Sequence, residues 1–159
     1  MTRAPCNDQN NTRQLARMLS MHPPPVLSNR DVQRRWHCSR ATVDRFRKKH
    51  GLNSVTDGGH PAFSLIDLLE REGFADPLAA WALGTDDDRK VLAAPLLSIE
   101  DLAALEDRLR PHHPETHRVR AREGRGRPGI KIGHRWLFRP TIREIEQSEA
   151  RHSRPSKGE

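Results

Sequence analysis

One eight-residue pattern occurs twice in this chain, and it constrains the fold more than any other feature. Pro25-Val26-Leu27-Ser28-Asn29-Arg30-Asp31-Val32 aligns with Pro95-Leu96-Leu97-Ser98-Ile99-Glu100-Asp101-Leu102, 70 residues further on. Both read Pro, apolar, Leu, Ser, two variable positions, Asp, apolar. Ser28 and Ser98 suit the N-cap of a helix, where a side-chain oxygen accepts an orphan backbone N–H. Asp31 and Asp101, three residues later, suit an acidic capping box at the positive helix end. The downstream order of features is also shared. A basic stretch ends at a Gly (Gly51, Gly124), then come a Gly-His turn (Gly59-His60, Gly133-His134) and a Phe (Phe63, Phe138). A short amphipathic segment closes each copy, with Ile66 and Leu69 in one and Ile142 and Ile145 in the other. A duplicated module accounts for this order better than chance does.

The first copy reads as helix, turn, helix, hairpin, helix. Ser28 to Trp36 forms a short helix with Val32 and Trp36 on one face. His37-Cys38-Ser39 makes a turn, and Ser39 caps a second helix from Arg40 to His50. There Val43 and Phe46 point inward, leaving Arg40, Thr42, Arg45, Arg47, Lys48 and Lys49 outside or flanking. That is the layout of a helix-turn-helix: a bracing helix, a short turn and a second helix with a thin apolar stripe. Leu52 to Val55 and Ala62 to Ser64 read as strands around Asp57-Gly58-Gly59-His60, a hairpin that makes a wing. Leu65 to Gly73 closes the module as a helix with a Gly C-cap.

The second copy departs from this plan. Its first helix is expected from Ser98 to about Leu109, and its turn, Arg110-Pro111-His112-His113-Pro114, is longer and bounded by Pro. The next helix, Glu115 to Glu123, has only Val119 and Ala121 as apolar anchors. Arg118, Arg120 and Arg122 alternate along it and cannot all face one groove. Its wing is the stronger half, Ile130-Lys131-Ile132 and Trp136-Leu137-Phe138 around Gly133-His134-Arg135, with Ile130 and Ile132 on one strand face and Lys131 on the other.

The fold class is therefore mainly α with small β-hairpin wings, as two tandem winged helix-turn-helix modules. Residues 1–24 are expected as a flexible N-terminal segment, although Leu15, Met18 and Leu19 suit one helix. Residues 25–73 form the first module, 74–95 an acidic linker, 96–149 the second module and 150–159 a disordered tail. Within the linker, Leu78 to Leu83 with Trp81 suits either a plain spacer or a helix packed between the modules.

Charge narrows the function. The net charge is +7 over 159 residues, which favours a polyanionic partner. It is also segregated. Ser28 to Gly51 carries eight Lys/Arg against two acids, and Arg108 to Arg139 ten against two. Leu52 to Asp107, between them, carries three basic and twelve acidic residues. Two discrete basic patches suggest two docking surfaces, and Asp86-Asp87-Asp88 should face away from phosphate.

Several classes are excluded or disfavoured. Tyr is absent, so no tyrosine nucleophile attacks phosphate. No P-loop signature occurs. His37-Cys38 and His112-His113 with His117 do not complete a zinc spacing. No enzyme activity, cofactor or metal is expected, and Trp36 and Trp136 read as core rather than as stacking platforms. Apolar residues make up 34% of the chain, with no run long enough to span a membrane and no signal-peptide core after Met1. Cys6 and Cys38 make no disulfide framework, so a cytoplasmic, nucleoid-associated location is expected.

At these same residues the sequence resembles a known family. Leu-Ser-x-x-Asp-apolar, then Ser39-Arg40-Ala41-Thr42-Val43, then a basic helix ending in Gly, is similar to the MerR-like and phage-excisionase winged-helix DNA-binding domain. Ile130 to Arg139 looks like that family's wing running into its last helix. The resemblance covers about residues 26–73 and 96–149. It implies that the second helix of each module enters the major groove while the wing follows the backbone or minor groove. The DNA-facing residues would then be Ser39, Arg40, Thr42, Arg45, Lys48, Lys49 and His60 in the first module. In the second they would be Thr116, His117, Arg120, Arg125, Arg127, Lys131, His134 and Arg135. Arg bonds bidentately to guanine and Thr contacts thymine methyl groups, while Lys48, Lys49, Arg125 and Arg127 suit phosphates. The long C-terminal coiled coil of MerR regulators has no counterpart here, which argues against a ligand-sensing dimer and for a monomer with two linked modules.

The function expected is a sequence-specific double-stranded-DNA-binding transcriptional regulator of bacterial or mobile-element origin. The alternative is an excisionase-like recombination directionality factor that bends attachment-site DNA for an integrase. A protein-interaction adaptor whose modules no longer bind DNA fits the two basic blocks least. Double-stranded DNA is the expected partner, with an integrase or RNA polymerase as candidate protein partner.

Overall fold

The two capping boxes expected from the repeat are both formed. In a computed structural model that describes residues 7–52, 54–57, 59–105 and 113–152, Ser28 Oγ accepts from Asp31 N (3.2 Å) while Ser28 N donates to the Asp31 carboxylate (3.1 Å). Seventy residues on, Ser98 Oγ accepts from Asp101 N (3.0 Å) and Ser98 N donates to Asp101 (2.8 Å).

Each box starts an equivalent series. In the first half a short strand β1 (Val26–Ser28) leads into helices α2 (Asn29–Arg35) and α3 (Arg40–His50), after the N-terminal helix α1 (Asn7–Met21). Strands β2 (Ser54–Asp57) and β3 (His60–Ser64) form a hairpin, and α4 (Leu65–Arg71) comes next. After α5 (Pro77–Leu83) and α6 (Asp86–Ala93), the second half runs α7 (Ile99–Leu105), α8 (Pro114–Arg122), the hairpin β4 (Gly129–Ile132) and β5 (Arg135–Phe138), and α9 (Ile142–His152). The molecule is thus mainly helical with two small antiparallel hairpins. In the first half β1 adds to the hairpin in the order β1-β3-β2, pairing Leu27 with Phe63. The second half keeps one such pair, a bridge in which Leu97 and Phe138 exchange backbone hydrogen bonds of 2.7 and 2.9 Å.

Local sequence explains the helix ends. Ser39 caps α3 and Gly51 ends it in the left-handed region (φ 59°), where a side chain would be strained. His37 adopts φ 47° in the α2–α3 turn, a conformation uncommon for a residue with a Cβ. α8 opens on Pro114 at its first turn, with the His113 ring accepting from Glu115 N.

The second hairpin lies between the two halves and is covered on both faces. Antiparallel register pairs Ile130 with Leu137, Ile132 with Arg135, Gly129 with Phe138 and Lys131 with Trp136. Directly opposed residues share a face. Ile130, Ile132 and Leu137 therefore pack together against Val32, Trp36, Val43 and Phe46 of α2 and α3. On the other face Trp136 and Phe138 pack against Ile99, Leu102 and Ala121 of α7 and α8. Gly129 is required on that second face, because a Cβ there would lie 2.8 Å from Trp136 and 2.9 Å from Ala121. The hairpin expected as the second module's wing is a layer shared by both halves, with each buried aliphatic side chain contributing about 1.5–3 kcal/mol.

A buried ionic knot fastens the same seam. Arg35, one of the eight cations of the first basic block, is 1% exposed and donates to both oxygens of Glu72 (2.6 and 2.8 Å). It also donates to the carbonyls of Ala93 and Ala94, while Trp36 Nε1 and Arg139 Nη2 complete the Glu72 shell at 2.9 Å each. Burial pushes the Glu72 carboxyl up, but the Arg35 hydrogen bonds and charge, with help from Trp36 and Arg139, outweigh it and hold the group below the usual range.

The helices allowed for in the N-terminal segment and the linker are formed. Residues 1–24, expected as flexible, contain α1, whose Leu19 joins a second core of Leu65, Leu69, Trp81 and Leu92. The 74–95 segment forms α5 and α6, and Trp81 Nε1 donates to His22 O (2.8 Å). The tail is helical to His152. The expected helix end at Leu109, the Arg110–His112 part of the adjoining turn, Gly58 of the first hairpin turn and residues 153–159 lie outside the described residues.

Candidate nucleic-acid interface

The seam between the halves opens at the surface as a groove with α3 on one wall and the turn of the second hairpin on the other. Ser39, Thr42, Arg45 and Lys49 line the helix side, and Gly133, His134 and Arg135 the hairpin side, over a floor of Phe46 and Ile132. Val43 and Phe46 anchor α3 on the core, which leaves Ser39, Thr42, Arg45 and Lys49 along the edge that borders the hairpin. Gly133 turns the hairpin in the left-handed region (φ 61°), where a side chain would be strained.

Several expected site residues meet here, though from different modules. Arg45, Lys48 and Lys49 are exposed and carry no ion pair among the described residues. Arg40 is 79% exposed, with Asp44 at 3.8 Å one turn away. Ser39 both caps α3 and stands within 3.1 Å of Thr42 Oγ1, so the two hydroxyls form one pair. His134 is exposed, and Arg135 donates to the carbonyl of His37, tying the hairpin to the α2–α3 turn. The Cys38 thiol borders the same groove; burial pushes its pKa up, with Arg135 opposing.

Other expected residues lie elsewhere. His60 is exposed at the turn of the first hairpin, away from the groove. Lys131 extends over the Trp136 ring at 5.8 Å. Thr116 and Arg120 of α8 line a separate hollow with Arg125 and Gly126. Arg125 is paired with Glu123. His117 turns inward, beside Leu102 and Phe138.

Arg127, expected on phosphate, has its guanidinium engaged inside the fold. Its guanidinium donates to both oxygens of Glu144 (2.8 and 2.6 Å) and to the carbonyl of Arg139. The Arg127 hydrogen bond is the main reason that the Glu144 pKa falls to about 2.

Sequence reasoning missed Arg118, which lines a hollow on the far side of the hairpin with His37, His134 and Arg135. The alternation of Arg118, Arg120 and Arg122 did signal that these side chains separate. It could not say which one turns toward the hairpin.

Among the described residues, no group of three His, Cys, Asp or Glu side chains stands where it could share a metal ion, and no helix is long and apolar enough to cross a membrane. No family model, curated protein or solved structure matches the chain.

Proposed function

We propose that this protein is a sequence-specific, duplex-DNA-binding transcriptional regulator built from two winged helix-turn-helix units. The observation that carries the reading is the groove in which α3, with Thr42, Arg45 and Lys49, faces His134 and Arg135 of the second hairpin. Two basic segments far apart in sequence converge there, and Arg45 and Lys49 on the α3 wall carry no ion pair among the described residues. Arg45 is suited to reading guanine edges, and Thr42 to a base edge or thymine methyl. Lys48, Lys49 and His134 suit phosphate oxygens, which set register without carrying sequence information. The arginines spent inside the fold (Arg35, Arg127 and Arg139) stay out of this count.

Asp86, Asp87 and Asp88 are exposed at the start of α6, where Asp88 closes a capping box with Thr85. α6 packs against α9, with Lys90 bonded to Glu149 at 3.0 Å.

Binding to random duplex and to DNA from the gene's own upstream region, at two salt concentrations, tests the reading. Affinity should fall steeply with salt, by a logarithmic slope of about 0.9 per phosphate contacted. The double variant Arg45→Glu, Lys48→Glu should lose at least about tenfold in affinity with an unchanged circular dichroism spectrum. Failure to retain any duplex at low salt overturns the proposal.

A further inference from the structure

We infer that the two halves engage one uninterrupted stretch of duplex in a fixed register, with the second hairpin serving as the wing of the first half's α3. The inference rests on the DNA-binding reading above and goes beyond it. Two linked modules would ordinarily read two half-sites at an adjustable distance. The seam removes that freedom.

The spacing is set by layers. α3 and α8 lie on opposite faces of one two-stranded ribbon, through Phe46 and Val43 on one side and Ala121 on the other. Packed layers stand about 10 Å apart, which puts the two helices roughly 20 Å from one another. Successive major grooves on one side of a duplex are about 34 Å apart. The two helices therefore cannot occupy successive grooves as the paired readers of a dimeric helix-turn-helix protein do. With α3 in a groove, the hairpin turn beside it meets the flanking backbone of the same segment. Arg118 lies on the far side of that turn in an exposed pair with Glu115 (2.6 Å), and reaches the next phosphates along by exchanging that carboxylate for them.

The angle is set by contacts that cross the seam. Leu96 N donates to Arg35 O (3.1 Å), the His37 ring meets Leu96 O (2.6 Å), and Arg139 reaches Glu72 (2.9 Å). Moving one half against the other would break a buried ion network as well as the core, which makes a hinge at this seam costly.

The test selects binding sites from a random-sequence duplex pool with the full chain. A fixed register predicts one sequence block of constant length. Inserting about five base pairs, half a helical turn, into its middle should abolish selective binding. His134→Glu, at an exposed position, should weaken the intact block by about tenfold or more, because the wing shares the segment that α3 reads. Two blocks separated by a variable gap, tolerance of the insertion, or unchanged affinity of His134→Glu would each overturn the fixed register while leaving DNA binding in place. Retention of no duplex at all is a different result, and it overturns the underlying DNA reading.

Discussion

The two halves of this molecule run through the same elements in the same order, yet they use their hairpins differently. In the first half β1 pairs with β3 along three residues, and Phe63 and Leu68 bury beside the half's own α2 and α3. In the second half that added strand shrinks to the Leu97–Phe138 bridge, and the hairpin inserts between both helix pairs. The same order of elements thus contains one hairpin that serves its own half and one that serves both. A small domain buries too little apolar surface to be independently stable with ease. Sharing a sheet gives each half a face that it could not supply alone.

The comparison can be broken most severely at Glu72. Glu72→Gln leaves Arg35 and Arg139 facing a neutral amide at a sealed site, and should cost about 3–5 kcal/mol in urea denaturation. A loss under about 1 kcal/mol would mean that the knot does not hold the seam. Leu137→Ala comes next. It empties the face of the second hairpin that packs on Val32 and Trp36, and should cost about 2–5 kcal/mol. Because that face belongs to both halves, amide exchange should rise in α2 and α3 as well as in β5; a rise confined to the second half contradicts a shared layer.

The third test is internal to the second half and smaller. Glu144→Gln loses the Arg127 pair, at about 1.5–3 kcal/mol near neutral pH. The sign with pH comes from a folded pKa of about 2 against an ordinary 4.5. The Glu144 contribution is complete above about 4.5 and drains away as pH falls toward about 2. Wild type and variant should therefore converge in stability across that window. A constant difference would assign the loss to packing rather than to charge.

Much of the local plan was legible from residue order. The capping boxes at Ser28–Asp31 and Ser98–Asp101 are formed by atoms three residues apart, so short-range pattern suffices to find them. The α3 bounds, Arg40–His50, are set by Ser39 before and Gly51 after. The groove was only half legible. Arg45, Lys49, His134 and Arg135 were each marked as candidate residues, but as members of two separate surfaces. Arg35, Arg127 and Arg139 look like Arg45 in any charge count. Only their distant carboxylates, Glu72 and Glu144, set them apart.

What the sequence determined by itself was the repeat, the helix ends, the alternation of β4 and the segregation of charge, since each depends on neighbours within a few residues. Tertiary structure decided which arginines are buried, that the second hairpin is a shared layer, and that α3 faces a turn some ninety residues away. A strand with Ile130 and Ile132 on one face and Lys131 on the other reads the same whether its second face meets solvent or another helix pair. Only the packing of Trp136 and Phe138 onto α7 and α8, with Ile132 and Leu137 on α2 and α3, separates those cases.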